Sequence, residues 1–200
     1  YRGATSDHPD PVATTWRLSF ARVKAAHPAA SELLCLCAFL HPEEIPEELI
    51  TNGATELGHI LGAAGAKPAE LNKVIAECLK FSLLHRDPIR QTLEIHRLVQ
   101  EVLRTGIDET TQRQWVERLI RALNISFPKI ELATWPQCER LIPHIVAVTA
   151  SIARWKLNSS GVDRLFNQAG QYLVERARYA EAEPFLRRSV AIREELLGEE

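Results

Sequence analysis

The 200-residue sequence predicts a mainly α protein with one small β-hairpin. Three observations carry this. Residues 68–80 place Leu71, Val74, Ile75, Cys78 and Leu79 at i, i+3, i+4, i+7 and i+8, the spacing of one helix face. In "FSLLHRDPIRQTLEIH" the period changes to two, with Leu93 and Ile95 alternating with Thr92 and Glu94 around an Asp87-Pro88 turn. Beyond residue 106 every apolar pattern is helical again.

Residues 1–11, "YRGATSDHPDP", are polar and contain two prolines, so they read as a linker. A helix is expected over 12–26, with Trp16, Phe20 and Val23 on one face. The next, 28–40, is apolar nearly all round and must be buried on several sides. "HPEEIPEELI" interrupts it. Pro46 suits a first helical turn, and Glu47 and Glu48 favour the positive end of the helix dipole. Four glycines between 53 and 65 indicate a short helix with loose ends. A hairpin of 81–86 and 91–96 follows the 68–80 helix, and a short helix then carries Leu98, Val99, Val102 and Leu103.

Several helices followed by a hairpin is the order of a winged-helix module, here assigned to 12–106. Residues 107–160 are expected to form a helical connector. Asp108 is placed to cap a helix of 109–126 bearing Trp115, Leu119 and Leu123. "TWPQ" fits a capping box with Thr134 as N-cap and Gln137 three residues on. It opens a helix with Leu141, Ile145, Val148 and Ile152 on one face and Pro143 as a source of bending. Residues 161–200 hold two helices, 162–176 and 179–197, joined so tightly at Ala177-Arg178 that they must be antiparallel neighbours. Ala169, Gly170, Ala182 and Ser189 lie where the two would approach closely.

A net charge of −2 gives no bulk attraction to nucleic acid or anionic membrane. No apolar run reaches the roughly 18 residues of a membrane span, and no signal peptide is visible, so a cytoplasmic protein is expected. Helical Cys35 and Cys37 point about 200° apart. With Cys78 and Cys138 they read as small buried residues in a reducing compartment. The sequence starts at Tyr1 and contains no methionine, which leads to the expectation of a piece of a longer protein.

Enzymatic signatures are missing from the 200 residues. "GAAGAKP", 62–68, has the wrong spacing for a P-loop and reads as a loop. Ser31, Ser82, Ser126, Ser151, Ser159, Ser160 and Ser189 lack a nucleophile-elbow context. The seven histidines show no metal-binding spacing, and His144 reads as a packed or partly exposed polar residue rather than a ligand. The chain is therefore not expected to be an enzyme or to hold a metal or cofactor itself. In a winged helix the helix before the hairpin reads DNA. Here Lys73 and Lys80 are balanced by Glu70 and Glu77, so nucleic acid is not the expected partner.

The segment "FNQAGQYLVERARYAEAEPFLRRSVAIREELLGEE" resembles a tetratricopeptide repeat, in the long form found in kinesin light chains and bacterial signalling proteins. Gly170, Tyr179, Ala182 and Phe185 fit the pattern. Phe166 stands for the usual tryptophan, Ser189 for alanine and Ala177 for the turn glycine. The resemblance implies a repeat array that binds a peptide or protein ligand. It also implies an apolar edge on the 179–197 helix through which the chain could self-associate.

Residues 7–105 resemble the region after the nucleotide-binding core of signal-transducing ATPases of the NB-ARC class. The phrases "HPDPVATTWRLSF", "AASELLCLCAFLHPEEIPEELI" and "LEIHRLVQEVLR" carry the likeness. In that family a Met-His-Asp motif opens the last winged-helix helix, and its histidine contacts the β-phosphate of ADP. Ile95, His96 and Arg97 occupy those positions, with the histidine kept and the aspartate replaced. The resemblance implies that His96 senses nucleotide in a parent protein that binds ADP or ATP with Mg, the partner being an upstream nucleotide-binding domain of the same chain. A phosphate nearby would favour a charged imidazole donor. From the residues alone, His96 could equally bond a local carbonyl at the strand end. A scaffold without nucleotide coupling is the other reading of the whole chain.

Overall fold

The computed structural model describes residues 11–198. The proposed 1–11 linker lies outside them except for Pro11, which begins α1 (Pro11–Ala26). The other helices are α2 (Pro28–Cys37), α3 (Glu47–Asn52), α4 (His59–Gly65), α5 (Pro68–Lys80), α6 (Arg97–Thr105), α7 (Glu109–Ser126), α8 (Trp135–Arg154), α9 (Ser160–Glu175) and α10 (Tyr179–Gly198). Two 3-10 turns, Ala54–Glu56 and Leu132–Thr134, precede α4 and α8. Strands β1 (Ile45–Pro46), β2 (His85–Asp87) and β3 (Thr92–Glu94) form one antiparallel sheet in the order β1-β3-β2. The protein is thus mainly helical with a small three-stranded sheet.

Helix α2 is the hub. Eight of its ten residues are buried, among them Leu33, Leu34, Leu36 and Cys37, because α1, α4, α5, α6 and α7 all pack on it. This explains why its sequence is apolar on all sides. Its C-terminal carbonyls are satisfied from α6. The buried Gln100 amide donates to the carbonyls of Cys37 and Leu40, both at 2.9 Å, and Arg104 donates to that of Ala38 at 2.8 Å. The helix is shorter than the expected 28–40, because residues 38–40 form a turn held by this capping.

The sheet differs from the expected hairpin in two ways. Its strands are shorter than 81–86 and 91–96, and a third strand joins them. Residues 81–83 close α5 instead: Ser82 adopts a left-handed conformation (φ 53°) and Leu83 N–H returns to the Cys78 carbonyl, the bond of a Schellman cap. At the other end Ile95 N–H leaves the ladder to bond Pro42 O at 2.8 Å. β1 pairs Ile45 with Leu93 and Pro46 with Thr92. Pro46 is therefore a strand residue and the N-cap of α3 rather than its first turn. Glu47 is buried and takes a bidentate pair from Arg86 on β2, at 2.6 and 2.7 Å.

Two stripe assignments are corrected. Leu79 is 37 % exposed and Leu98 is 53 % exposed. The inward face of α6 is Val99, Gln100 and Leu103. Thr134 is the N-cap position of α8, but its side chain accepts no cap bond, so no Thr-to-Gln137 box forms. Thr134 sits in the 3-10 turn with helical dihedrals, and its reciprocal partner is Glu131. Trp135 and Pro136 then open α8.

The core runs without a break from α1 to α10. α7 packs on α3 and on the Ala54–Glu56 turn. Gly53 permits this approach, since a Cβ there would lie 2.6 Å from that of Ala122. α8 rests on β1, α9 on both α7 and α8, and α9 and α10 form the expected antiparallel hairpin.

Candidate functional site

The residue of interest opens α6. Ile95 is buried and anchors the end of β3. His96 follows in an extended conformation (φ −67°, ψ 136°), so its carbonyl accepts the first helical bond, from Gln100 N–H. Its side chain is the helix N-cap: Nδ1 accepts Leu98 N–H at 3.2 Å. The ring is exposed and lies 5.7 Å from that of Trp16 on α1, tilted by 41°.

The cap decides the protonation state that this geometry requires. Nδ1 can accept an N–H only through its lone pair, so the proton sits on Nε2. The capped ring is a neutral donor through Nε2. A charged imidazolium would have to release Leu98. His96 thus bonds a local amide rather than a local carbonyl.

His96 and the exposed Arg97 border a groove of about 720 Å³ whose other walls include Pro42, Leu79, Leu84 and His85. Glu43 and Glu94 also face it, so the groove carries both signs of charge. The exposure of Leu79 is explained by this groove. Among the described residues, no group of three or more His, Cys, Asp or Glu side chains is arranged to hold a metal ion.

The cations of the hairpin are held in pairs. Arg86 is committed to Glu47, while Arg90 pairs with Glu44 at 2.6 Å and Asp87 caps the turn by accepting from the N–H groups of Ile89 and Arg90. Lys73 and Lys80 are likewise paired with Glu70 and Glu77. A phosphate backbone would have to compete for each of them.

The hairpin residues are brought together in α9 and α10. The rings of Phe166 and Phe185 pack at 5.6 Å between centroids, tilted by 57°. Ala169 and Ala182 are buried, and a Cβ on Gly170 would meet Leu186 at 2.6 Å. Ser189 is buried and donates to Asp163 at 2.6 Å, which explains a hydroxyl at that contact. Tyr179 stands apart, 65 % exposed, at the start of α10. Ala177 takes the left-handed conformation (φ 57°) that the turn requires. Beside this hairpin an apolar groove of about 530 Å³ lies between α8 and α10, with Phe166 and Leu173 among its walls.

Two contributors were invisible to periodicity. Trp16 reads only as part of a helix stripe, and its place beside His96 depends on α1 crossing α6. Gln100 reads as a surface residue until α2 is seen to end against it.

Residues 21–112 match the family described as Domain of unknown function (DUF7779). The match begins within α1, ends within α7 and includes His96. No curated protein and no solved structure matches the chain. Among the described residues no helix is long and apolar enough to cross a membrane.

Proposed function

We propose that this chain is a non-catalytic relay in a signal-transducing ATPase of the NB-ARC class. Residues 12–106 act as its winged-helix unit, 107–160 as a connector and 161–200 as the start of a tetratricopeptide array. Nucleotide state in an upstream domain biases the position of the winged-helix unit, and the array senses a peptide or protein. The observation that carries the reading is the placement of His96. Its ring is at the surface beside a groove, with Nδ1 tied to the α6 backbone and Nε2–H left to donate.

Such a donor suits a terminal phosphate oxygen of ADP. The α6 N-terminus adds its positive dipole, and Arg97 supplies a cation next to the histidine. Arg97 in place of an acidic residue makes this surface more attractive to an anion than the family pattern. One hydrogen bond to a charged group contributes about 1.5–3 kcal/mol, the size of a typical allosteric coupling. ADP or ATP with Mg would be bound by the upstream domain, His96 adding one contact.

The test is nucleotide exchange in the protein that contains this region together with its nucleotide-binding domain. His96→Ala is expected to speed ADP release about ten- to a hundredfold. Unchanged release would retire the role of His96 and favour a scaffold without nucleotide coupling, for which the apolar groove beside α10 offers a surface. Duplex DNA binding that weakens steeply with salt would favour a nucleic-acid reading instead.

A further inference from the structure

We propose that His144 is a proton-operated latch between α8 and the segment of residues 41–46, which leads into and includes β1, and that protonating its ring loosens α8 from that segment. The histidine lies on the inner face of α8 and is 1 % exposed. Its Nε2 lies 3.2 Å from the carbonyl oxygen of Glu44, so Nε2–H donates there. Glu44 is itself held in a left-handed conformation (φ 53°), costly for a residue with a Cβ, and the bond from α8 meets the carbonyl that this conformation presents. The other nitrogen, Nδ1, is buried without a hydrogen-bond partner.

That arrangement suits only the neutral ring. A second proton would go to Nδ1, where no acceptor waits, and the charge would be buried. His41 approaches edge-on at 6.2 Å between ring centroids, and Arg140 lies one turn earlier on α8. Both oppose a positive ring.

The nearby carboxylates do not compensate. Glu44 is paired with Arg90, Glu48 with Arg140 at 3.4 Å, and Glu47 with Arg86. Glu43 lies in the same segment, its backbone bonded to His41, and Asp87 is engaged by the turn amides of Ile89 and Arg90. Burial accordingly pushes the His144 ring down to about 4 from an ordinary 6.5. Because the docked value is the lower one, the docked state binds fewer protons than the released state. The latch is fully closed above pH 6.5 and weakens as pH falls toward 4. At pH 5.5 the two values favour release about tenfold relative to neutral pH. This inference is independent of any nucleotide.

Two measurements on the 200-residue chain test it. An NMR titration of the histidine rings should place the His144 midpoint below pH 5. A midpoint near 6.5 with the fold intact would overturn the proposal. Hydrogen exchange, corrected for intrinsic pH dependence, should show opening of 41–46 and of the facing part of α8 rising about tenfold between pH 7 and 5.5, with α9 and α10 unchanged. His144→Gln keeps an N–H donor for Glu44 and cannot titrate, so it should abolish the rise. An equal rise in the variant, or none in the wild type, would also overturn it. The ring titration needs no variant and decides the matter if His144→Gln does not fold.

Discussion

The indole of Trp16 and the imidazole of His96 lie 5.7 Å apart, which puts α1 in direct contact with the N-cap of α6. His96 therefore has two duties, capping the helix and presenting Nε2. Substitutions separate them. His96→Ala should cost about 1 kcal/mol of stability through loss of the cap, measured by urea unfolding. His96→Asn should recover most of that cost while leaving ADP release as fast as in the alanine variant. Recovery of slow release by asparagine would show that the cap, not the ring, matters.

Gln100 should be far more sensitive than any surface ion pair. Gln100→Leu leaves the carbonyl of Leu40 without its donor and that of Cys37 with only the longer bond from Leu40 N–H at 3.3 Å. An unsatisfied buried group costs about 1–3 kcal/mol, and a loss of that size is expected. Lys73→Ala, at an exposed pair, should change stability by less than about 0.5 kcal/mol. Comparable unfolding midpoints for the two variants would refute this ranking.

Ala177 holds a left-handed turn with Arg178 N–H bonded to Leu173 O. Glycine takes that conformation without the Cβ clash. Ala177→Gly should stabilise the hairpin by about 0.5–1 kcal/mol, once the greater freedom of unfolded glycine is subtracted. A lower thermal midpoint for the variant would contradict the account.

Alkali should weaken the fold. Burial pushes the Cys35 thiol up to about 11 and that of Cys78 up to about 12 from 9.0, and burial together with its bond to Glu139 pushes Tyr172 up to about 12 from 10.0. Each folded value lies above its unfolded one, so the stability they contribute is complete below about pH 9 and declines as pH rises from there. Urea midpoints should fall between pH 9 and 11. At pH 8 the native thiols should resist iodoacetamide, since all four cysteines are buried and react only as thiolates. Rapid native alkylation would be inconsistent with this packing.

Much of the fold was legible because long helices write their period into the sequence. The expected helix of 68–80 matches α5 at both ends, and the hairpin of α9 and α10 follows from a turn too short for any other arrangement. β1 was not legible. It is two residues long, contains a proline, and exists only because Leu93 and Thr92, 46 to 48 positions away, offer it partners. The ends of the β-hairpin were misplaced because the cap of α5 and the Pro42 carbonyl competed successfully for backbone groups that alternation assigns to strands. At the candidate site, His96 stood out from its position before a helix, yet the state of its ring depends on one amide two residues on. His144 reads from sequence as packed or partly exposed, and the structure buries it. Its particular partner, the Glu44 carbonyl, lies 100 residues away and no local pattern encodes it.

Arg178, in the turn between α9 and α10, grips Glu139 of α8 and Glu181 of α10 at once, each at 2.7 Å, while the buried Tyr172 of α9 donates to the same Glu139 at 2.6 Å. Helices α8 and α9 and the turn leading into α10 thus converge on one carboxylate. The terminal hairpin cannot swivel on its own loop without breaking that knot, so a pull on α10 would be transmitted to α8 as a lever.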